Sequence, residues 1–175
     1  FSLNEKEKIA KSLDNLGVDY IEGGWPGANP TDTEFFNKDQ NFKNANLTAF
    51  GMTKKSEHSA KNDPMLSSLI NSKSSSVCLF GKSWDFHVDV ALGISNDQNL
   101  ENISESAKHI VNSGKEFMFD AEHFFDGYKS NPEYAISCLK AAYDNGARWI
   151  VLCDTNGGTL PHEVDKIVKE VIKHI

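Results

Sequence analysis

Short apolar runs alternate along this chain with longer segments in which apolar residues recur at helical spacing. The runs are closed by polar or glycine residues, and they predict strands at 18–22, 47–50, 76–80, 116–120 and 147–153. The segments between them predict helices beginning at Ser2 or Asn4, Thr31, Pro64, near Asp97, Pro132 and Pro161. One helix followed by five strand–helix units predicts an α/β fold with a parallel sheet covered by helices.

Polar side chains at the ends of the predicted strands distinguish two architectures. An open sheet gathers its ligand at one switch point, whereas a barrel of eight units places polar residues at the carboxyl ends of successive strands. Here every strand end carries them: Glu22; Thr48; Lys82 with Asp85 and His87; Glu122; and Asp154 with Thr155. The sequence therefore predicts a single domain, residues 1–175, that is a partial (β/α)8 TIM barrel of about five units. Because five strands cannot close a barrel, we expect the first strand and the last two units to lie outside these residues.

Composition argues against two classes of partner. The net charge is −7 and the 18 Lys and Arg residues are scattered, which speaks against nucleic-acid binding. No apolar run is long enough to cross a membrane. Cys78, Cys138 and Cys153 are odd in number and form no CxxC pair, so a reducing, cytoplasmic compartment is expected. The chain begins without an initiator methionine, and we expect it to be part of a longer protein.

The stretch from Phe119 to Tyr128 places acids where an apolar strand ends. Alternation along the strand puts Asp120 and Glu122 on one face and His123 on the other, so His123 is expected to pack behind the sheet. Carboxylates in such a position pair with a partner, bind a cation or handle a proton. The residues alone leave these three uses open.

Four segments together resemble one enzyme family: 18–27 (VDYIEGGWPG), 80–85 (FGKSWD), 120–129 (DAEHFFDGYK) and 153–161 (CDTNGGTLP). They are similar to the isopropylmalate and homocitrate synthase family of metal-dependent barrel enzymes, and the similarity extends over essentially the whole chain. The resemblance implies a Claisen condensation of acetyl-CoA with an α-keto acid, followed by thioester hydrolysis. It also implies a divalent metal, Mg or Mn and possibly Zn, that holds the keto acid. The keto acid is pyruvate in one branch of the family and larger in others.

The resemblance also implies roles for individual residues. Glu122 is expected to be catalytic, relaying the proton removed from the acetyl methyl group; its alternative is a structural ion pair with a Lys or Arg. Thr155 is expected to hydrogen-bond the keto-acid carboxylate, with a local turn role as the alternative. Glu22 resembles the family's inward glutamate that supports the metal and an arginine, and Asp120, on the face of Glu122, is expected to line the substrate site.

Lys82 and His87 complete the expected substrate-binding set. Lys82 can steer the CoA phosphates or the keto-acid carboxylate, and His87 can donate to a carbonyl group. The alternatives are a Lys82–Asp85 pair and a structural histidine.

Two family motifs are missing from this chain. The family carries an Arg-Asp pair on its first strand and a His-x-His metal pair on its seventh, and neither is present. We therefore expect no metal ligand within these residues and predict that residues 1–175 alone are inactive. A non-catalytic βα module that binds a small anion is the alternative function. Unpaired sheet edges also predict a homo-oligomer.

Overall fold

A computed structural model describes residues 1–175 and contains five strands in one sheet. The strands are β1 (Tyr20–Glu22), β2 (Asn46–Met52), β3 (Ser76–Lys82), β4 (Glu116–Glu122) and β5 (Trp149–Leu152). All neighbours are parallel and the spatial order follows the chain. The predicted strands are confirmed in number and order. β3 and β4 each extend two residues beyond the predicted bounds, so Lys82 and Glu122 are their last residues.

Eight α-helices connect and cover the strands. They are α1 (Leu3–Leu16), α2 (Pro30–Asn37), α3 (Pro64–Asn71), α4 (Asp85–His87), α5 (Asn96–Asn112), α6 (Phe124–Ser130), α7 (Pro132–Tyr143) and α8 (Pro161–Val171). Ser2 caps α1, and proline occupies the first turn of α2, α3, α7 and α8, where its missing N–H is not needed. None of the helices combines the length and apolarity that a membrane span requires.

The sheet curls strongly, as a barrel wall must. Four strand spacings separate β1 from β5, which would be about 19 Å in a flat sheet. Yet the Tyr20 ring of β1 packs edge-on against the Trp149 ring of β5, with centroids 6.4 Å apart. The Tyr20 hydroxyl accepts a hydrogen bond from Trp149 Nε1 and donates one to Glu116 on β4. The chain is thus a curled half-barrel, which confirms the predicted partial TIM barrel.

The hydrophobic core lies between the convex face of the sheet and the helices. It contains 28 buried residues, among them Val77 and Leu79 of β3 and Phe117, Phe119 and Ala121 of β4. These are the residues that alternate with the polar positions of the same strands. The convex face therefore provides the packing and leaves the concave face to other residues.

Helix α1 buries a different face from the one its apolar spacing suggests. Ile9, Leu13 and Leu16 are 44%, 37% and 77% exposed, whereas Ala10 and Asp14 are buried. Asp14 accepts backbone hydrogen bonds from residues 43–45, which attaches α1 to the segment before β2. The apolar stripe of α1 thus faces away from the core of this chain.

Candidate active site

The concave face carries ionisable side chains toward the carboxyl ends of the central strands. Alternation brings Cys78 and Lys82 of β3 onto this face, with Asp120 and Glu122 of β4 beside them. Lys82 is directly opposite Glu122 in the strand register. Most of the residues predicted for the site therefore lie together at one rim of the half-barrel.

Glu122 and Lys82 form an ion pair across the β3–β4 register. Their side chains are 26% and 18% exposed, so both remain accessible from the concave side. The Glu122 carbonyl accepts a hydrogen bond from Ser83 Oγ at 2.7 Å, and Asn99 donates to the Lys82 carbonyl at 2.8 Å. The two strand ends are thus held by neighbours that leave the charged groups facing the open side.

This pairing decides between two of the alternatives left open by the sequence. Lys82 does not pair with Asp85, which instead accepts a hydrogen bond from Asn131 at 2.9 Å. Glu122 has the lysine partner that a structural role requires, but the pair is at the rim rather than in the core. A carboxylate in this position can both hold a cation and take up a proton.

Glu22, Cys78 and Asp120 form a second cluster on the same face. One ligand atom of each lies within 4.8 Å of the others. Burial raises the pKa of Glu22, and the neighbouring Asp120 adds to the shift, while the pKa of Asp120 is also raised by burial. Burial and the two carboxylates raise the pKa of the Cys78 thiol well above its usual range. Neither carboxylate has a salt-bridge partner, so the cluster favours its protonated forms.

The same cluster is the part of the chain where a divalent cation would be sought. Mg²⁺ takes six oxygen ligands, and zinc binds cysteine only as the thiolate. Glu22 and Asp120 supply two carboxylates and Cys78 a thiol, so these residues offer three of the about four to six ligand positions that such an ion fills.

The loop after β3 folds against the end of β4. His87 stacks on Trp84 with ring centroids 4.7 Å apart, and its Nδ1 atom is buried without a hydrogen-bond partner. Gly127 of α6 allows the loop after β3 to lie close against α6, because a Cβ at residue 127 would be 2.3 Å from the Ser83 carbonyl oxygen. Burial lowers the pKa of His87, and the nearby His123 and Lys82 add to the shift. The imidazole is thus favoured in its neutral form beside the rim.

His123 does not pack behind the sheet, so that prediction is wrong. The chain leaves the strand geometry directly after Glu122, and His123 has a left-handed backbone with φ 55° and ψ 35°. The turn brings the ring against His87, with centroids 4.4 Å apart, and its Nδ1 within 3.1 Å of Asp126 Oδ2. Strand alternation could not predict this position because it stops applying where the strand ends.

Thr155 lies in the exposed loop after β5 and contacts the end of β4. Its Oγ1 accepts a hydrogen bond from the His123 backbone N–H at 2.9 Å. Asp154, beside it, is a turn residue, since its carboxylate accepts from both the N–H and the hydroxyl of Thr159. Thr155 is therefore joined to the rim that carries Glu122.

Sequence reasoning missed three members of this arrangement. Cys78 was considered only as a thiol, although its spacing of four residues from Lys82 on one strand placed both on the same face. Asp126 and Asn156 were not singled out, and only the folded loops bring them within 2.9 Å of each other. Nothing in the sequence alone indicated that contact.

Curated proteins are similar to this chain over almost its whole length. The chain is 54% identical to an (R)-citramalate synthase of Aquifex aeolicus over 98% of its length and 33% of that protein. It is 51% identical to an (R)-citramalate synthase of Sulfolobus acidocaldarius over its full length, covering 34% of that protein. The chain thus spans about a third of the length of these curated relatives. A 2-isopropylmalate synthase of Shouchella clausii is 29% identical over 99% of the chain and 33% of that protein.

Solved structures show the same fold at low sequence identity. The hydroxymethylglutaryl-CoA lyase of Pseudomonas aeruginosa superposes with a TM-score of 0.79 at 15% identity, over 100% of this chain and 58% of the lyase. All of residues 1–175 match the HMGL-like family. The half-barrel, its polar rim and these similarities lead to one conclusion: the chain belongs to the HMGL-like family.

Proposed function

We propose that the protein containing this chain is an acyltransferase that condenses acetyl-CoA with pyruvate to form (R)-citramalate, in isoleucine and branched-chain amino-acid biosynthesis. The identities of 54% and 51% to enzymes named (R)-citramalate synthase support this reaction. The observation that carries the proposal is the position of Glu122, a partly exposed carboxylate at the end of β4 on the concave face. Active sites of barrel enzymes are built at this end of the strands.

The proposed reaction needs one carboxylate that accepts a proton from carbon. Removal of a proton from the acetyl methyl group gives a carbon nucleophile, which attacks the keto carbon of pyruvate and forms a carbon–carbon bond. The keto oxygen takes up a proton from solvent and becomes a hydroxyl group, and water then cleaves the thioester to release free CoA and the diacid. Glu122 takes up the methyl proton, directly or through a water molecule, and the Lys82 ammonium holds the carboxylate in place.

The other rim residues bind and orient the keto acid in this proposal. The Thr155 hydroxyl donates a hydrogen bond to the keto-acid carboxylate, and His87 donates a hydrogen bond to a substrate carbonyl. Glu22 and Asp120 lie beneath them on the concave face, where they support the substrate and the groups that hold it. Lys82 offers the positive charge that attracts the anionic substrates toward Glu122.

A divalent metal, Mg or Mn and possibly Zn, is part of the proposal for the complete enzyme. Because both family metal motifs are missing from residues 1–175, its ligands are expected in residues outside them. Titration calorimetry of the full-length protein with Mg²⁺ or Mn²⁺, and then with pyruvate, tests this. We expect pyruvate to bind only after the metal, and pyruvate binding of equal affinity without metal would contradict it.

A larger keto acid is the second candidate substrate. The 29% identity to a 2-isopropylmalate synthase favours it, and homocitrate synthase belongs to the same reaction class. Selectivity between such substrates rests on small apolar contacts, each worth about 1 to 3 kcal/mol. Release of CoA measured with pyruvate and with 2-ketoisovalerate, each at several concentrations, separates the two by their kcat/KM values.

The third outcome of these assays is a protein without catalysis. A full-length protein that binds pyruvate but releases no CoA from acetyl-CoA under any of these conditions would be a non-catalytic anion-binding module. We also expect residues 1–175 alone to be inactive, and measurable CoA release by that chain would contradict the expectation.

The proposed setting is a cytoplasmic homo-oligomer. In this chain β1 and β5 are edge strands, and several apolar side chains of the chain are exposed, including Leu16 at 77%, Trp149 at 48% and Ile172 at 66%. Such surfaces favour association with further protein. Sedimentation at micromolar concentration tests the expectation, and a sharply monomeric profile would contradict it.

A further inference from the structure

His123 joins the two loops that carry the proposed catalytic and substrate-binding residues. It follows Glu122 directly, and its backbone N–H donates to Thr155 Oγ1 at 2.9 Å. A threonine hydroxyl has one proton to donate and two lone pairs that accept. Because one lone pair accepts from His123 and no protein group accepts the Thr155 proton, that proton is free for a ligand.

The hydrogen bond lies at a corner with an uncommon backbone conformation. His123 and Asn41 are the two non-glycine residues with positive φ in the chain. The odd-numbered residues of β4 face β5, since the Phe117 and Ala121 carbonyls accept from the N–H groups of Arg148 and Cys153. The His123 N–H keeps that direction, and the left-handed turn then brings the Phe124 N–H to the Cys153 carbonyl at 3.1 Å. The left-handed geometry is uncommon for most residues and especially unfavourable for β-branched ones, so something must hold it.

The His123 side chain contacts Asp126 of α6 and His87 of α4, and Asp126 links it to Asn156. Its Nδ1 lies 3.1 Å from Asp126 Oδ2, and the same oxygen accepts from Asn156 Nδ2 at 2.9 Å. Its ring packs against His87, from the loop after β3. The His123 imidazole thus contacts the Asp126 carboxylate, and the same carboxylate accepts a hydrogen bond from Asn156, the residue after Thr155.

We propose that His123 is a positioning residue that orients the Thr155 hydroxyl toward the keto-acid carboxylate. The proposal rests on the proposed function, because it assigns the free proton of Thr155 to that substrate. His123 does not touch the substrate itself. It acts through its backbone N–H, whose place beside the loop after β5 is kept by the turn that follows it and by the link from its ring through Asp126 to Asn156.

Two substitutions at residue 123 distinguish the effect of the backbone conformation from the effect of the imidazole ring. H123G removes the imidazole but readily keeps a positive φ, whereas H123V introduces a β-branched side chain that disfavours it. In the full-length enzyme we expect H123V to raise KM for the keto acid about tenfold, as for loss of a hydrogen bond to a charged group. KM for acetyl-CoA should stay unchanged. H123G should raise the keto-acid KM by less than H123V does.

A double-mutant cycle with T155V shows whether His123 acts through Thr155. T155V alone should raise the keto-acid KM at least as much as H123V, and H123V should add nothing in the T155V background. Three results would each overturn the proposal. They are KM increases of H123V and T155V that multiply in the double mutant, equal increases in KM for both substrates, and a T155V protein with unchanged KM for the keto acid. If the wild-type protein lacks the condensation activity, it is the proposed function that fails.

Hydrogen exchange of the His123 amide tests the geometry without an activity assay and does not depend on the folding of H123V. T155V removes the acceptor, and T155S retains it. We expect exchange at His123 to accelerate about tenfold or more in T155V and to change little in T155S. Equal exchange in wild-type protein and T155V would overturn the proposal whatever the kinetic results.

Discussion

The two faces of the sheet differ in what their residues contact. On the convex face, Phe117, Phe119 and Ala121 of β4 are at most 1% exposed and pack against the helices. On the concave face, Asp120 and Glu122 alternate with them and remain partly exposed. Glu122 forms an ion pair with Lys82, whereas Asp120 has no salt-bridge partner. One strand thus carries a packed face and a chemical face. Substitutions on the first should change stability, and those on the second should change activity.

The largest expected effect is on the convex face. F119A removes a fully buried ring and should lower the free energy of unfolding by about 3 to 5 kcal/mol, because a cavity remains in a close-packed core. V151A, on the concave face of β5 where Val151 is 41% exposed, should cost less than about 1 kcal/mol. Urea denaturation of both variants measures the difference, and equal losses would remove the contrast between the faces.

The next effect is on the rim of the concave face. E122Q keeps the size of the side chain but removes the group that accepts the methyl proton, so kcat of the full-length enzyme should fall about a hundredfold or more. The free energy of unfolding should change by less than about 1 kcal/mol, since the ion pair with Lys82 is partly exposed. E101Q, an exposed carboxylate on α5 without an ion pair, is the control and should leave both values unchanged. A stability loss in E122Q without a loss of kcat would assign Glu122 a structural role.

A smaller effect sharpens the comparison at the other end of the concave face. There the Tyr20 hydroxyl joins β1 to Glu116 and Trp149, so this part of the face is structural. Y20F should lower the free energy of unfolding by about 1 kcal/mol through the lost hydrogen bonds. Y143F, at an exposed tyrosine, is the control. A Y20F protein as stable as wild type would show that this contact adds nothing to the curl of the sheet.

The smallest expected effect is on how the free energy of unfolding depends on pH. Burial raises the pKa of Asp120 in the folded state, so the group contributes stability below its unfolded pKa, near 4. That contribution is lost as pH rises through the folded pKa. D120N cannot ionise, so its free energy of unfolding should vary less between pH 4 and pH 7 than that of wild type. Urea midpoints across this range measure it, with E101Q again as the control, and parallel curves for wild type and D120N would contradict the expectation.

Sequence reasoning predicted the elements well because their signals are local. Capping by Ser2, prolines at helix starts and short apolar runs each involve neighbouring residues, and the structure has the helices and strands they indicated. Alternation also placed Asp120 and Glu122 on one face correctly. It failed one residue later, at His123, because a positive φ ends the alternation and no local signal announced it.

The polar pattern and the four family-like motifs were enough to indicate a barrel rim with Glu122, Thr155 and Lys82 in it. Their partners depend on how separate strands and loops meet. Lys82 pairs with Glu122 rather than with Asp85, which is nearer in sequence. The parallel register of β3 and β4 places residues 40 positions apart opposite each other. His123 meets His87 and Thr155 because the chain turns out of β4 where the loops after β3 and β5 fold together. A sequence lists side chains along one dimension, whereas an ion pair or a hydrogen bond needs two groups within a few ångströms in three, and that proximity arises from packing the sheet against its helices.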